Sequence, residues 1–174
     1  MEFITTEYGV ITAFVMPILL LPSFFTNAIS NAMFPIISRE YARKNICYIK
    51  NKLKQSIIFS LIICIFTMII INLFPEFLLN LFYKTNLGVN YLRFLSPIFI
   101  LYSLEAPMSS FLEATNHAKS VTMDNLIGIF FKTIFLFILS FLNIGLYSLL
   151  ISMIINILIV TIRHSKWIKK IIRE

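Results

Sequence analysis

Five stretches of this chain stay apolar for about the length of a bilayer crossing, and no other feature limits its fold as tightly. A hydrocarbon core about 30 Å thick takes about 20 helical residues at a rise of ~1.5 Å each. The stretches cover about residues 8–37, 56–83, 90–114, 120–142 and 146–162. They are continuous runs rather than short alternating segments, so they predict helices and not barrel strands. Soluble domains carry roughly 45–50% apolar and about 25% charged residues. Here the values are 59% and 13%, with a mean hydropathy of +0.88. One domain of 174 residues has too little interior to hide that surplus, so the remainder faces lipid. The expected fold is an all-α membrane protein of about five transmembrane helices, a single helical domain over residues 1–174.

The charge pattern orients those helices. Net charge is +7, yet the basic residues bracket the apolar runs instead of sharing one soluble face, which argues against nucleic acid as a partner. Arg39, Arg43, Lys44, Lys50, Lys52 and Lys54 fall between the first two runs, and Lys119 between the third and fourth. Arg163, Lys166, Lys169, Lys170 and Arg173 lie in the tail. Twelve of the fifteen bases thus share one side of a five-span chain, which the positive-inside rule makes cytoplasmic, with the C-terminus, in a cell membrane. The opening residues hold Glu2 and Glu7 and no base, so they do not read as a signal peptide. A first span that starts outside without a signal is awkward, and the expectation is that membrane helices precede it in a longer transporter. Cys47 and Cys64 supply neither a disulfide framework nor metal-ligand spacing.

Several spaced motifs add a family likeness. Residues 8–44, YGVITAFVMPILLLPSFFTNAISNAMFPIISREYARK, place Met16-Pro17 in an apolar first half. A small polar segment from Asn27 to Asn31 follows, then Pro35-Ile36-Ile37-Ser38 before a basic stretch. Residues 91–119, YLRFLSPIFILYSLEAPMSSFLEATNHAK, continue the pattern, as do NLIGIFFK (125–132) and Ile144-Gly145-Leu146-Tyr147. Together they resemble the polysaccharide-exporter and lipid-flippase branch of the multidrug/oligosaccharidyl-lipid/polysaccharide superfamily, most of all its stage V sporulation protein B-like members. Ser148, Glu113 and Thr115 depart from the glycine, glutamine and glycine usual in that family. The resemblance implies most of the second, C-terminal lobe of a two-lobed transporter whose central cavity opens to each side in turn. It implies translocation of lipid-linked sugar precursors of peptidoglycan or polysaccharide across the cytoplasmic membrane. The partners would be the lipid bilayer, that substrate, and a missing N-terminal lobe or homologous subunit. The alternative is a non-transporting membrane subunit or an inactive truncated remnant.

Lys132 falls near the middle of the fourth span, where an ionisable side chain costs about 2.5–3.5 kcal/mol and seeks a partner. Glu105 lies at similar depth across the turn near His117. The two are expected to pair, either lining the transport path or fixing how the third and fourth spans pack. Pro97 and Pro107 predict a kinked or broken third span, and Pro17 a break in the first. Ser23, Asn27, Ser30 or Asn31, and Ser38 recur at helical spacing as a polar stripe. Such a stripe can hydrogen-bond sugar or pyrophosphate in a wet cavity, or bind a neighbouring helix. Glu113, His117, Lys119 and Asp124 are expected to cluster at the cytoplasmic turn, with Glu113 and Asp124 as gate candidates. Asn125, Asn143 and Asn156 read as packing residues, and Trp167 as an interfacial anchor. No catalytic residue, cofactor or metal is expected: no Ser-His-Asp set or metal cluster is present, and the four glycines form no phosphate loop. The chain does not read as an enzyme.

Overall fold

A computed structural model describes residues 2–142 and 144–173, with side chains from Thr6 onward; Asn143 lies outside the described residues. Every regular element among them is helical. Helix α1 (Glu2–Val10) passes through a π-helical turn, Ile11–Val15, into α2 (Met16–Ala42). There follow α3 (Ile46–Leu73), the short α4 (Pro75–Tyr83), α5 (Val89–Ala114), α6 (Ala118–Ser140) and α7 (Tyr147–Arg173). Five segments are long and apolar enough to cross a membrane, namely Thr6–Ala42, α3, α5, α6 and α7. The all-α, five-span expectation holds.

The boundaries differ where local chemistry overrides hydropathy. The second run, expected as one helix over 56–83, is two. Pro75 has no N–H to extend the ladder and pushes Phe74 out of helical geometry (φ −128°, ψ 48°), so α3 stops and α4 starts afresh. At its other end α3 begins well before residue 56, because Asn45 caps it by accepting a hydrogen bond from the Tyr48 N–H at 3.3 Å. The basic stretch is therefore helix rather than loop: Arg39 closes α2, and Lys50, Lys52 and Lys54 ride on α3. The chain reverses within Arg43–Asn45, where Lys44 takes a left-handed φ of 59°.

Pro17, Pro97 and Pro107 do not break their helices. Helix α5 is continuous through Pro97 and Pro107. The Arg93 carbonyl that Pro97 leaves without its usual donor takes a hydrogen bond from Ser96 Oγ at 3.2 Å. Pro17 does not break the first span but sits in the first turn of α2, where a missing N–H costs little. The change in geometry falls just before it, in the wider π turn, which buries Ile11 and Val15.

Helix α5 is the hub, packed against α2, α3 and α7, whereas α6 leans on α7 far more than on α5. Two apolar clusters hold the bundle. One joins Ile11, Ile18, Leu79, Leu92, Leu95 and Leu150. The other joins Ile37, Ile49, Leu53, Phe111, Leu112 and Ile168 near the α2–α3 and α5–α6 turns. The outside is as apolar as the inside: α3 exposes Phe59, Ile62 and Phe66, and α6 exposes Leu126, Phe130 and Phe137. Apolar faces that run the length of two helices exceed what a monomer keeps in water, and they suit lipid.

Candidate functional site

Where α2 and α5 face each other they leave a groove of about 310 Å³. From α2 it is lined by Ser23, Asn27, Ser30, Asn31 and Phe34; from α5 by Tyr102, Glu105, Ser109, Ser110 and Glu113. Helical periodicity produces this. Residues 23, 27, 30 and 31 project from one side of α2, and 102, 105, 109 and 113 from one side of α5. The polar stripe of the first span and Glu105 thus meet, as does Glu113; Ser38 belongs to a separate cavity beside Tyr41, Lys44 and Asn116. Glu105 is nine residues from the end of α5, about 13 Å along the axis, so the groove reaches deep into the membrane-crossing part.

The groove's hydroxyls and its longer polar groups play different parts. Ser23 Oγ donates to the Leu20 carbonyl (2.6 Å), Ser30 Oγ to Thr26 (2.6 Å) and Ser109 Oγ to Glu105 (2.7 Å), so these serines satisfy their own helices. Ser110 Oγ donates across the groove to the Ser30 carbonyl at 3.0 Å and pins α5 to α2. By contrast the side chains of Asn27, Asn31, Glu105 and Glu113 have no hydrogen-bond or ion-pair partner among the described residues. These two amides and two carboxylates are the groups available to a ligand. Phe34 and Tyr102 add aromatic walls that nothing in the sequence singles out, because aromatics are everywhere in this chain.

Lys132 does not join them. It is half-buried on α6, is not part of the groove lining, and makes no ion pair with Glu105 or any other described carboxylate. The expected pair fails for a topological reason. Equal depth on either side of a turn brings two residues together only if the helices stay side by side, and α6 swings onto α7 instead.

The expected cluster at the turn also separates. Glu113 faces the groove, while His117 Nδ1 lies 2.7 Å from the Thr115 carbonyl in the turn itself. Asp124 is fully buried against α7, where its Oδ1 accepts from Arg163 Nε at 2.6 Å, and His164 Nε2 lies 3.8 Å from its Oδ2. Sequence reasoning assigned Arg163 to the topology signal and so missed this pair. The available signal was a lone acid early in one apolar span and the first base after the next. Asn156 does pack between α6 and α7, where its Oδ1 occupies the space that a Cβ on Gly128 would need. Glu40, also missed, is almost buried and ties the α2–α3 turn together, with Arg43 Nη1 at 3.0 Å, Arg39 Nε at 3.5 Å and Asn45 Nδ2 at 3.2 Å.

Comparison with known proteins places these features in a sequence context. Residues 11–138, from the π turn to α6, match the family model described as MatE. Over 169 residues, or 97% of the chain, the sequence is 28% identical to stage V sporulation protein B of Bacillus subtilis (strain 168). The chain spans 33% of that relative's length. No solved structure gives a significant match.

Proposed function

The chain belongs to the MatE family, and from that premise we propose that it forms one wall of the substrate path in a flippase-like exporter of lipid-linked sugar precursors. With its five apolar helices it is a multi-pass membrane protein. The carrying observation is the set of unpartnered side chains, Asn27, Asn31, Glu105 and Glu113, in a groove of about 310 Å³ inside membrane-crossing helices. Left against hydrocarbon such groups are costly, so they belong against water, substrate or another protein surface.

The groove's chemistry suits sugar. Carboxylates accept hydrogen bonds from hydroxyls, amides both donate and accept, and Phe34 and Tyr102 offer faces for ring C–H groups. Two acids make the groove a poor place for a pyrophosphate. That part of the substrate is better met by the bases at the α2–α3 end, Arg39, Arg43 and Lys44, whose side is taken as cytoplasmic. A first lobe or homologous subunit closes the path from the other side, and Lys132 finds its counter-charge there or on the substrate. Alternating access moves the sugar across, and no chemical step is involved. A second reading, export of an organic cation, is favoured by the pairing of two carboxylates with two aromatic rings.

A chimaera in which this chain replaces the matching third of stage V sporulation protein B tests the reading. It is expected to insert, to leave exposed Cys47 reachable only from the cytoplasm, and to support spore formation. Asn27→Ala with Glu105→Gln should lower spore yield at least about tenfold at unchanged expression, the loss of about 1.4 kcal/mol or more in the transport step. A chimaera that accumulates normally but gives no spores would favour a non-transporting subunit. Cation efflux without sporulation would favour the second reading.

A further inference from the structure

The geometry points to a binding site for the phosphate headgroup of an anionic phospholipid, in the groove of about 280 Å³ lined by Arg163, Lys166, Trp167 and Lys170. All four residues are on α7, and their spacing of three, four and seven gathers them into roughly a 100° sector of the helix. The adjoining side of the same turns is buried: His164, Ile168 and Ile171 face the bundle and hold the helix down. The groove is therefore a fixed surface rather than part of a loose tail.

Each wall is prepared for an anion. Arg163 donates Nε to the buried Asp124 carboxylate at 2.6 Å, which fixes the guanidinium plane and leaves its two Nη groups without a described partner. Lys170 Nζ stands 5.4 Å from the centre of the Trp167 ring, and that ring leans on His117 at 6.1 Å. Lys166 and Lys170 make no ion pair with any described carboxylate. Asp124 offsets the charge of Arg163, so the groove keeps two uncompensated cations.

Depth selects a lipid rather than a dissolved anion. The apolar part of α7, Tyr147–Ile162, is 16 residues or about 24 Å long. Arg163 is the first charged residue after that apolar run, and Lys166, Trp167 and Lys170 follow within two turns, the mix of bases and indole that settles at headgroup level. The groove also falls beyond residue 138, where the family match ends, and its role is independent of the export reading.

Trp167 is the single tryptophan of the chain, so its fluorescence reads this groove directly. The full chain is reconstituted in phosphatidylcholine vesicles containing a fixed fraction of brominated phosphatidylglycerol or, separately, of brominated phosphatidylcholine. The quenching of Trp167 should give a relative binding constant about fivefold in favour of phosphatidylglycerol. Lys166→Gln with Lys170→Gln should bring that ratio close to one. Lys166→Arg with Lys170→Arg should preserve it, which separates loss of charge from loss of fold. Lys50→Gln with Lys54→Gln removes the same charge from exposed positions on α3 and should leave the ratio unchanged. Equal quenching by the two lipids would overturn the assignment, as would an equal loss in the Lys50/Lys54 variant, which would mean a diffuse field. Loss of the preference on adding inorganic phosphate at matched ionic strength would assign the groove to a dissolved anion instead.

Discussion

Replacing Arg163 by methionine is expected to destabilise the folded chain by about 3–5 kcal/mol, a larger loss than any change in the α2–α5 groove should cause. The cost arises at Asp124. Among the described residues that fully buried carboxylate takes its only hydrogen bond from Arg163, and its second oxygen has no hydrogen-bond partner and lies 3.8 Å from His164. Removing the guanidinium leaves a buried charge without its hydrogen-bonded counter-ion. Asp124→Leu should cost less, because the Arg163 side chain is 39% exposed and can turn its charge to water. The double variant, Arg163→Met with Asp124→Leu, should recover most of the loss, since neither charge is left stranded. Unfolding in mixed detergent micelles, followed by helix signal against denaturing detergent, measures all three. A wild-type midpoint for Arg163→Met would mean that the pair does not hold α6 to α7.

Gly128→Leu is expected to be the next most damaging change, and it attacks the same interface by shape rather than charge. Even a Cβ at this position would stand 2.6 Å from Val160 Cγ2 and would crowd Asn156 Oδ1 as well. Neither neighbour can retreat easily, since Val160 is buried and Asn156 Oδ1 is enclosed. Two helices that approach over a glycine must separate when a side chain is inserted, at a cost of about 1–3 kcal/mol and the contacts beyond it. Gly9 provides the control, because a Cβ there meets nothing within 4 Å. Gly9→Ala should therefore be neutral or stabilising by up to about 1 kcal/mol from helix propensity. In the same micelle assay, equal midpoints for the two glycine variants would contradict the close packing of α6 on α7.

The contrast between these features shows what a single sequence carries. Hydropathy sets the number and place of the spans, because burying or lipid-coating about 20 residues is a property of each segment by itself. The polar stripe of α2 was legible for the same reason: residues 23, 27, 30 and 31 share a face by helical period alone. Pairing between helices was not. Glu105 and Lys132 match in depth, yet α6 packs on α7, and helix azimuth and neighbour choice depend on shape at sites such as Gly128. Asp124 and Arg163, 39 residues apart, meet because of that choice. The prolines show the opposite case, since a break read from composition does not occur. A freed carbonyl can be taken up by a nearby hydroxyl, as Ser96 does for that of Arg93, so the helix continues, and that repair depends on a rotamer rather than on composition.

On the proposed function, the α2–α5 groove lines a watery path while the outer faces of α3 and α6 meet lipid. Thiol reactivity tests this most directly, in an otherwise cysteine-free version of the chimaera with stage V sporulation protein B, carrying either Asn27→Cys or Phe137→Cys. Both positions are exposed on the chain itself, Asn27 in the groove and Phe137 on the apolar face of α6. A charged, water-soluble maleimide should modify Asn27→Cys readily and stop spore formation, and should leave Phe137→Cys unmodified. If Asn27→Cys reacts no faster than Phe137→Cys, the groove is not a watery path and does not form a transport wall.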